Sequence, residues 1–393
     1  LTKIDLSVRK PFMERVLNTT RIDELMEAQG LSQTALAESL GVTRAAVSKW
    51  LTSKSFPRPA ELLKLGRLLG LGHKELVVSL AQQHEPLVAF RKRGSCLTTD
   101  EHFQRARDMG RMLKPLVPFL DVDEFIGPPN LKNPSCDYRY LQDLAARIRR
   151  DLNIAENAAF EFGALIALFE KHQAVIVPTL WGPKTKHENA IHIHLPDSQT
   201  TWIYLNLDVE IRDFKFWMAH ELGHVLTVDL LRDEKIDFAE DFADAFAGAL
   251  LFPESIAKIA FAEYNKARSE QGQLRVLFSW AERHTISPNS VYKEIEKYAA
   301  HHQEPFNKIP TAMLHKAIAQ KHKNHVMVST RLFDGKLPTA DHFMRVVQDA
   351  FRTQAYSALS RYVREKQPSA GTIATILGIN RTDASAYLDA FAQ

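Results

Sequence analysis

The chain is 393 residues long with 45% hydrophobic and 25% charged side chains, enough for two or three packed domains and too ordinary a mixture for extended disorder. Its formal net charge of +3 excludes a basic surface spread over the whole chain, so any nucleic-acid contact has to be a local patch. No run nears the roughly 18 apolar residues of a membrane span, Leu1 to Lys10 lack an apolar secretory core, and Cys96 and Cys136 stand alone; the expectation is a cytoplasmic protein with reduced thiols and no membrane partner.

Short amphipathic helices are expected from Arg21 to Leu80, punctuated at Gly30, Gly41, Pro57 to Pro59 and Gly70 to Gly72. Within them, Leu31 to Leu51 reads as two helices joined by a tight turn. Ser32 can cap the first helix, Gly41 can adopt the turn conformation, and Thr43 can cap the second. Leu36, Ala37, Leu40, Val42, Val47 and Leu51 fall on the inward side, with Ala37 small enough for close helix approach. Trp50 is expected in the core or at a dimer face. The outward side of the second helix carries Arg44, Ala45, Ser48 and Lys49. Such short polar and basic side chains near a helix start suit insertion into a major groove, with Thr43 beside them, while Gln33, Lys54 and Arg58 could meet phosphates. The stretch resembles the Xre, or λ-repressor-like, family, helix count included. That resemblance implies a helix-turn-helix domain over residues 17–82 whose partner is double-stranded operator DNA, with a homodimer as a candidate assembly.

Residues 83–137 read as a connector: a basic strand-like piece from Leu87 to Arg93, a helix from Asp100 to Leu113, and a loop with Pro128, Pro129 and Pro134. Helical periodicity returns from Tyr138 to Leu152 and from Ala155 to His172. An apolar strand from Ala174 to Pro178 and two alternating segments, Ala190 to Leu195 and Thr201 to Leu207, precede a long helix. This order describes a small α+β domain, placed at residues 138–255. Residues 256–393 look almost entirely helical, and Val276 to Ala299 and Gly371 to Phe391 again carry helix-turn-helix-like patterns. In the second of these, Asp383 and the lack of clustered Lys and Arg favour packing or dimerisation over DNA reading. The fold class expected is therefore multidomain and predominantly α, with one α+β domain.

The long helix holds His220-Glu-Leu-Gly-His224. Histidines four residues apart project from one helix face and can bind one ion, and Glu221 lies about 100 degrees of helix rotation away, close enough to take a proton from a water held there. A hydrolytic zinc site needs a third protein ligand. Glu240 is the choice from the residues, because Glu240 and Asp244 share a face of the next helix, where Asp244 could orient an imidazole through its second N–H. Asp237 and Asp241 compete for either role.

Downstream of the motif, Glu240, Ala243, Asp244, Phe246, Ala247, Leu250, Leu251 and Pro253 fall in one register. With the helical hairpin, the short sheet and His220-Glu-Leu-Gly-His224 before them, Tyr138 to Pro253 resemble the ImmA/IrrE family of zinc peptidases. The resemblance implies a zincin-like α+β fold and a gluzincin-like endopeptidase with zinc on His220, His224 and Glu240. It also implies Glu221 as general base and a protein substrate, often a DNA-binding repressor. For the donor that stabilises the oxyanion, His187, His192, His194 and Tyr204 are the candidates. Trp202, Tyr204 and Asn206 share one face of a strand expected to line the substrate cleft as an exposed sheet edge. The function expected is a DNA-binding transcriptional regulator that cleaves a regulatory protein. The alternative is an antitoxin-like or sensory DNA-binding regulator whose zinc domain is structural.

Overall fold

The computed structural model describes residues 15–52, 54–79, 84–89, 100–122, 130–182, 189–232, 235–321 and 326–392. It divides into two compact units, Leu1–Glu85 and Pro86–Gln393. Among the described residues, no single helix is long and apolar enough to cross a membrane.

The first unit runs β1 (Arg15–Leu17), α1 (Thr19–Ala28), α2 (Gln33–Leu40), α3 (Arg44–Leu51), α4 (Pro59–Leu69), α5 (His73–Leu76) and β2 (Val77–Ser79). β1 and β2 pair antiparallel, Val16 opposite Val78. The local signals act as expected. The Ser32 side chain accepts the Ala35 N–H at 3.1 Å and Thr43 accepts that of Ala46 at 3.2 Å, while Gly41 turns the chain at φ 70°. Leu36, Leu40, Val47, Trp50 and Leu65 pack in one buried cluster, each large apolar side chain contributing about 1.5–3 kcal/mol. Trp50 is thus a core residue, and Val42 and Leu51 pack against the same cluster half-buried.

The second unit is built on a four-stranded sheet of β3 (Leu87–Ala89), β4 (Ala174–Thr179), β5 (Ala190–Leu195) and β6 (Thr200–Asn206), in the order β3-β5-β6-β4. β6 runs parallel to β4 and antiparallel to β5, which in turn pairs antiparallel with β3. The stretch read as a connector therefore supplies an edge strand of this sheet. It also supplies α6 (Asp100–Leu113), which packs so closely on the sheet that a methyl on Gly110 would come within 2.9 Å of Ile193 Cγ2.

The helices that follow are α7 (Tyr138–Asp151), α8 (Phe162–Lys171), α9 (Ile211–Val225), α10 (Ile236–Leu251), α11 (Glu254–Lys266), α12 (Glu270–His284) and α13 (Pro288–His302). Beyond them come α14 (Thr311–Lys321), α15 (Val328–Phe333), α16 (Ala340–Phe351), α17 (Ala355–Lys366), α18 (Ala370–Leu377) and α19 (Arg381–Ala392). The helix expected from Ala155 begins only at Phe162. The carbonyls of Ala155 and Ala158 accept instead from the buried Arg149 guanidinium, so this loop meets its hydrogen-bond needs without helix.

The carboxy-terminal helices belong to the same core. α18 and α19 meet around Gly378 at φ 64°. The end of α18 caps the sheet face opposite α9: Tyr204 Oη donates to the Ile376 carbonyl at 2.7 Å and Trp181 Nε1 to that of Leu377 at 2.9 Å. This helix-turn-helix-like pattern is packing. The Val276 to Ala299 pattern likewise forms α12 and α13 around Thr285, a left-handed residue at φ 52°.

Candidate metal centre and nucleic-acid interface

α9 crosses α10 at short range because the residue between Leu222 and His224 is glycine. A methyl on Gly223 would lie 2.9 Å from Ala243 Cα and 3.1 Å from its Cβ, and relieving such a clash costs about 1–3 kcal/mol. Apolar residues anchor the two helices: Phe214, Met218 and Leu222 on α9, and Phe242, Phe246 and Leu250 on α10, are all buried. Lys215 is buried on the same helix, its Nζ donating to the His284 carbonyl at 2.7 Å. Burial, only partly offset by Glu161, brings it down to about 8.

This crossing brings His220, His224 and Glu240 together. His220 Nε2 and His224 Nε2 are 3.1 Å apart; Glu240 Oε2 lies 3.4 Å from the first and Glu240 Oε1 3.2 Å from the second. All three residues are buried, and they form a group whose donor atoms could hold one metal ion. Ligands bound about 2.0–2.1 Å from a tetrahedral zinc are separated by roughly 3.3 Å, so these spacings fit. The chemistry of the set, two imidazole nitrogens and a carboxylate oxygen, fits as well. Both Glu240 oxygens lie in the interior without a hydrogen bond, a cost that coordination would offset.

Asp244, one turn along α10, sets its Oδ1 2.9 Å from His220 Nδ1. Burial alone would lower the His220 pKa, but Asp244 and Glu240 overcome it and raise it to about 9. Burial alone would raise Glu240, and the imidazoles of His224 and His220 bring it down to about 2. Glu221 is buried beside the cluster. Of the competitors considered for the third position, neither Asp237 nor Asp241 belongs to the grouped donors.

The cleft-lining expectation for Trp202, Tyr204 and Asn206 fails. β6 has a partner on each side and is no edge. His192 on β5 faces α9, and the strand register puts it beside Ile203, so Trp202 and Tyr204 point to the opposite face. All three residues are fully buried: Tyr204 is bonded to α18, and Asn206 donates to the Gly182 carbonyl at 2.9 Å. Of the oxyanion candidates, Tyr204 is on that far face, His194 is tied to Thr201 Oγ1 at 3.0 Å, and His187 lies outside the described residues. His192 alone approaches the motif, its Nδ1 3.7 Å from Glu221 Oε2. The alternation of Ile191, His192, Ile193 and His194 could have suggested this only if the sheet order had been known.

In the first unit, Thr43, Arg44 and Ala45 are exposed at the start of α3, Lys49 in its last turn and Lys54 and Arg58 beyond its end, while Gln33 and Ser48 are half-buried. α3 has no acidic residue in its first turn. The Thr43 hydroxyl already accepts the Ala46 N–H, and its own O–H remains able to donate in any contact.

Residues 22–76 match the family model described as Helix-turn-helix, and residues 170–296 match that described as IrrE N-terminal-like domain. The chain joins these two domains. The IrrE-like match begins in the last residues of α8 and ends within α13, so it takes in the sheet strands β4 to β6, both helices of the centre and α11 and α12. No curated protein and no solved structure matches the chain.

Proposed function

We propose that the chain is a regulator whose IrrE-like domain is a zinc-dependent endopeptidase acting on a protein, a repressor or another regulatory protein, and whose helix-turn-helix binds double-stranded operator DNA. The convergence of His220, His224 and Glu240 donor atoms in a buried crossing carries this reading. Those three residues hold the zinc, and Asp244 fixes the ring of His220 through Nδ1, leaving Nε2 as the ligand atom. When bound, zinc polarises a substrate carbonyl and acidifies water. Glu221, one residue beyond His220, takes the proton of the attacking water on its carboxylate and passes it to the nitrogen of the departing amine. The low-dielectric surroundings of α9 and α10 strengthen each of these electrostatic interactions. In the first unit, Arg44, Ala45, Ser48 and Lys49 enter the major groove, while Gln33, Lys54 and the cap residue Thr43 stay at its margin.

The test is Glu221→Gln in the full chain. It should retain zinc and lose cleavage of repressors encoded beside the chain's own gene; a variant that still cleaves would remove Glu221 from its role.

A further inference from the structure

The motif and its downstream carboxylates leave one buried polar side chain of the centre without a purpose. His192 on β5 is 0% exposed, and neither of its ring nitrogens has a hydrogen-bond partner. Its ring meets that of His224 edge-on, with centroids 5.6 Å apart. Its Nδ1 is 3.7 Å from Glu221 Oε2, an oxygen that is itself buried and without a hydrogen bond. An imidazole buried in this way is costly, because each unmatched polar atom forfeits its hydration. Ile203, directly opposite His192 on β6 and fully buried, shows that this face of the sheet accepts aliphatic residues, and His194, next on the same face, has its partner in Thr201. Two orphaned groups facing each other, one a potential N–H donor and the other a carboxylate oxygen, are matched by closing a gap of less than 1 Å.

We propose that His192 is the positioning residue of Glu221: its Nδ1–H donates to Oε2 and fixes the carboxylate against the His220, His224 and Glu240 cluster. The sheet then contributes to the centre directly. β5 carries the donor, and its pairing with both β3 and β6 holds the strand in place. The inference rests on Glu221 being the proton-transferring group, and the experiment separates the two claims.

The probe is acetohydroxamate, which chelates zinc and shares a proton with an adjacent carboxylate, titrated against the zinc-loaded full chain. His192→Asn and His192→Leu have nearly the same shape, but only Asn keeps an N–H near the position of Nδ1. Leu should weaken acetohydroxamate binding about tenfold or more, the loss of a hydrogen bond to a charged group. Asn should stay within about twofold of the parent, and both should keep the parent zinc affinity. Equal binding by the Leu variant, with binding lost in Glu221→Gln, would overturn the inference and leave the base assignment standing. Unchanged binding in Glu221→Gln would overturn both. If the Leu variant does not fold, the nitrogen NMR signals of His192 in the parent decide: a protonated Nδ1 whose shift moves in Glu221→Gln supports the inference, and an unprotonated Nδ1 refutes it.

Discussion

His220 Nδ1 lies 2.9 Å from Oδ1 of Asp244, a residue one helical turn beyond Glu240. One face of α10 thus presents both Glu240, whose oxygens face the two imidazoles, and Asp244, which meets His220 from the side. Asp244→Asn should keep the fold and lower zinc affinity by about 10–100-fold, the usual cost of losing such an outer partner. Competition with a chromophoric chelator measures it, and an unchanged affinity would show that Asp244 has no part in holding the ring.

His284 gives the fold an acid sensitivity remote from the centre's own carboxylates. Its ring is buried between Phe252 and Trp280, and neither nitrogen makes a hydrogen bond. Burial, with Lys215 and Arg283 adding to it, pushes it down to about 4. Because the folded pKa is depressed, the unfolded chain takes up this proton first. Stability from His284 is therefore present above about pH 6.5 and lost as pH falls toward about 4. His284→Phe keeps the backbone carbonyl that binds Lys215 and removes the titration. Between pH 8 and pH 5 its urea-unfolding free energy should fall by about 2 kcal/mol less than that of the parent, 1.5 units at about 1.4 kcal/mol each. Parallel pH curves for the two proteins would contradict the assignment.

Lys54 and Arg58 are exposed beyond the end of α3. If they meet phosphates, each releases counterions on binding, and Lys54→Ala with Arg58→Ala should reduce the slope of log affinity against log salt by about 2. Fluorescence anisotropy on a mixed-sequence duplex reads this slope directly. A slope equal to that of the parent would place the phosphate contacts elsewhere.

What could be read from the chain alone was whatever depended on near neighbours. Ser32, Gly41 and Thr43 act within four residues of themselves, and His220 with His224 share a face by helix geometry, so each was legible before any fold was known. Glu240 and Asp244 followed from the same helical spacing. The role of β6 was not legible. Both faces of that strand are buried, so alternation says nothing of which neighbours it has, and its interior position depends on β5 and on the strand order. The strand-like piece from Leu87 did form β3, but nothing in that stretch says which sheet it joins. The loop before Phe162 looked helical because its pattern contains nothing of Arg149, which satisfies its carbonyls from another helix. His192 became visible only once β5 was laid against α9.

The proposed zinc ligands His220, His224 and Glu240 make the metal content of the protein decisive. The full chain, purified without added metal and analysed by inductively coupled plasma mass spectrometry, should carry about one zinc per chain, lost when His224→Ala or Glu240→Ala removes a ligand. A parent protein that contains no zinc, and takes up none when zinc is supplied, would contradict the account.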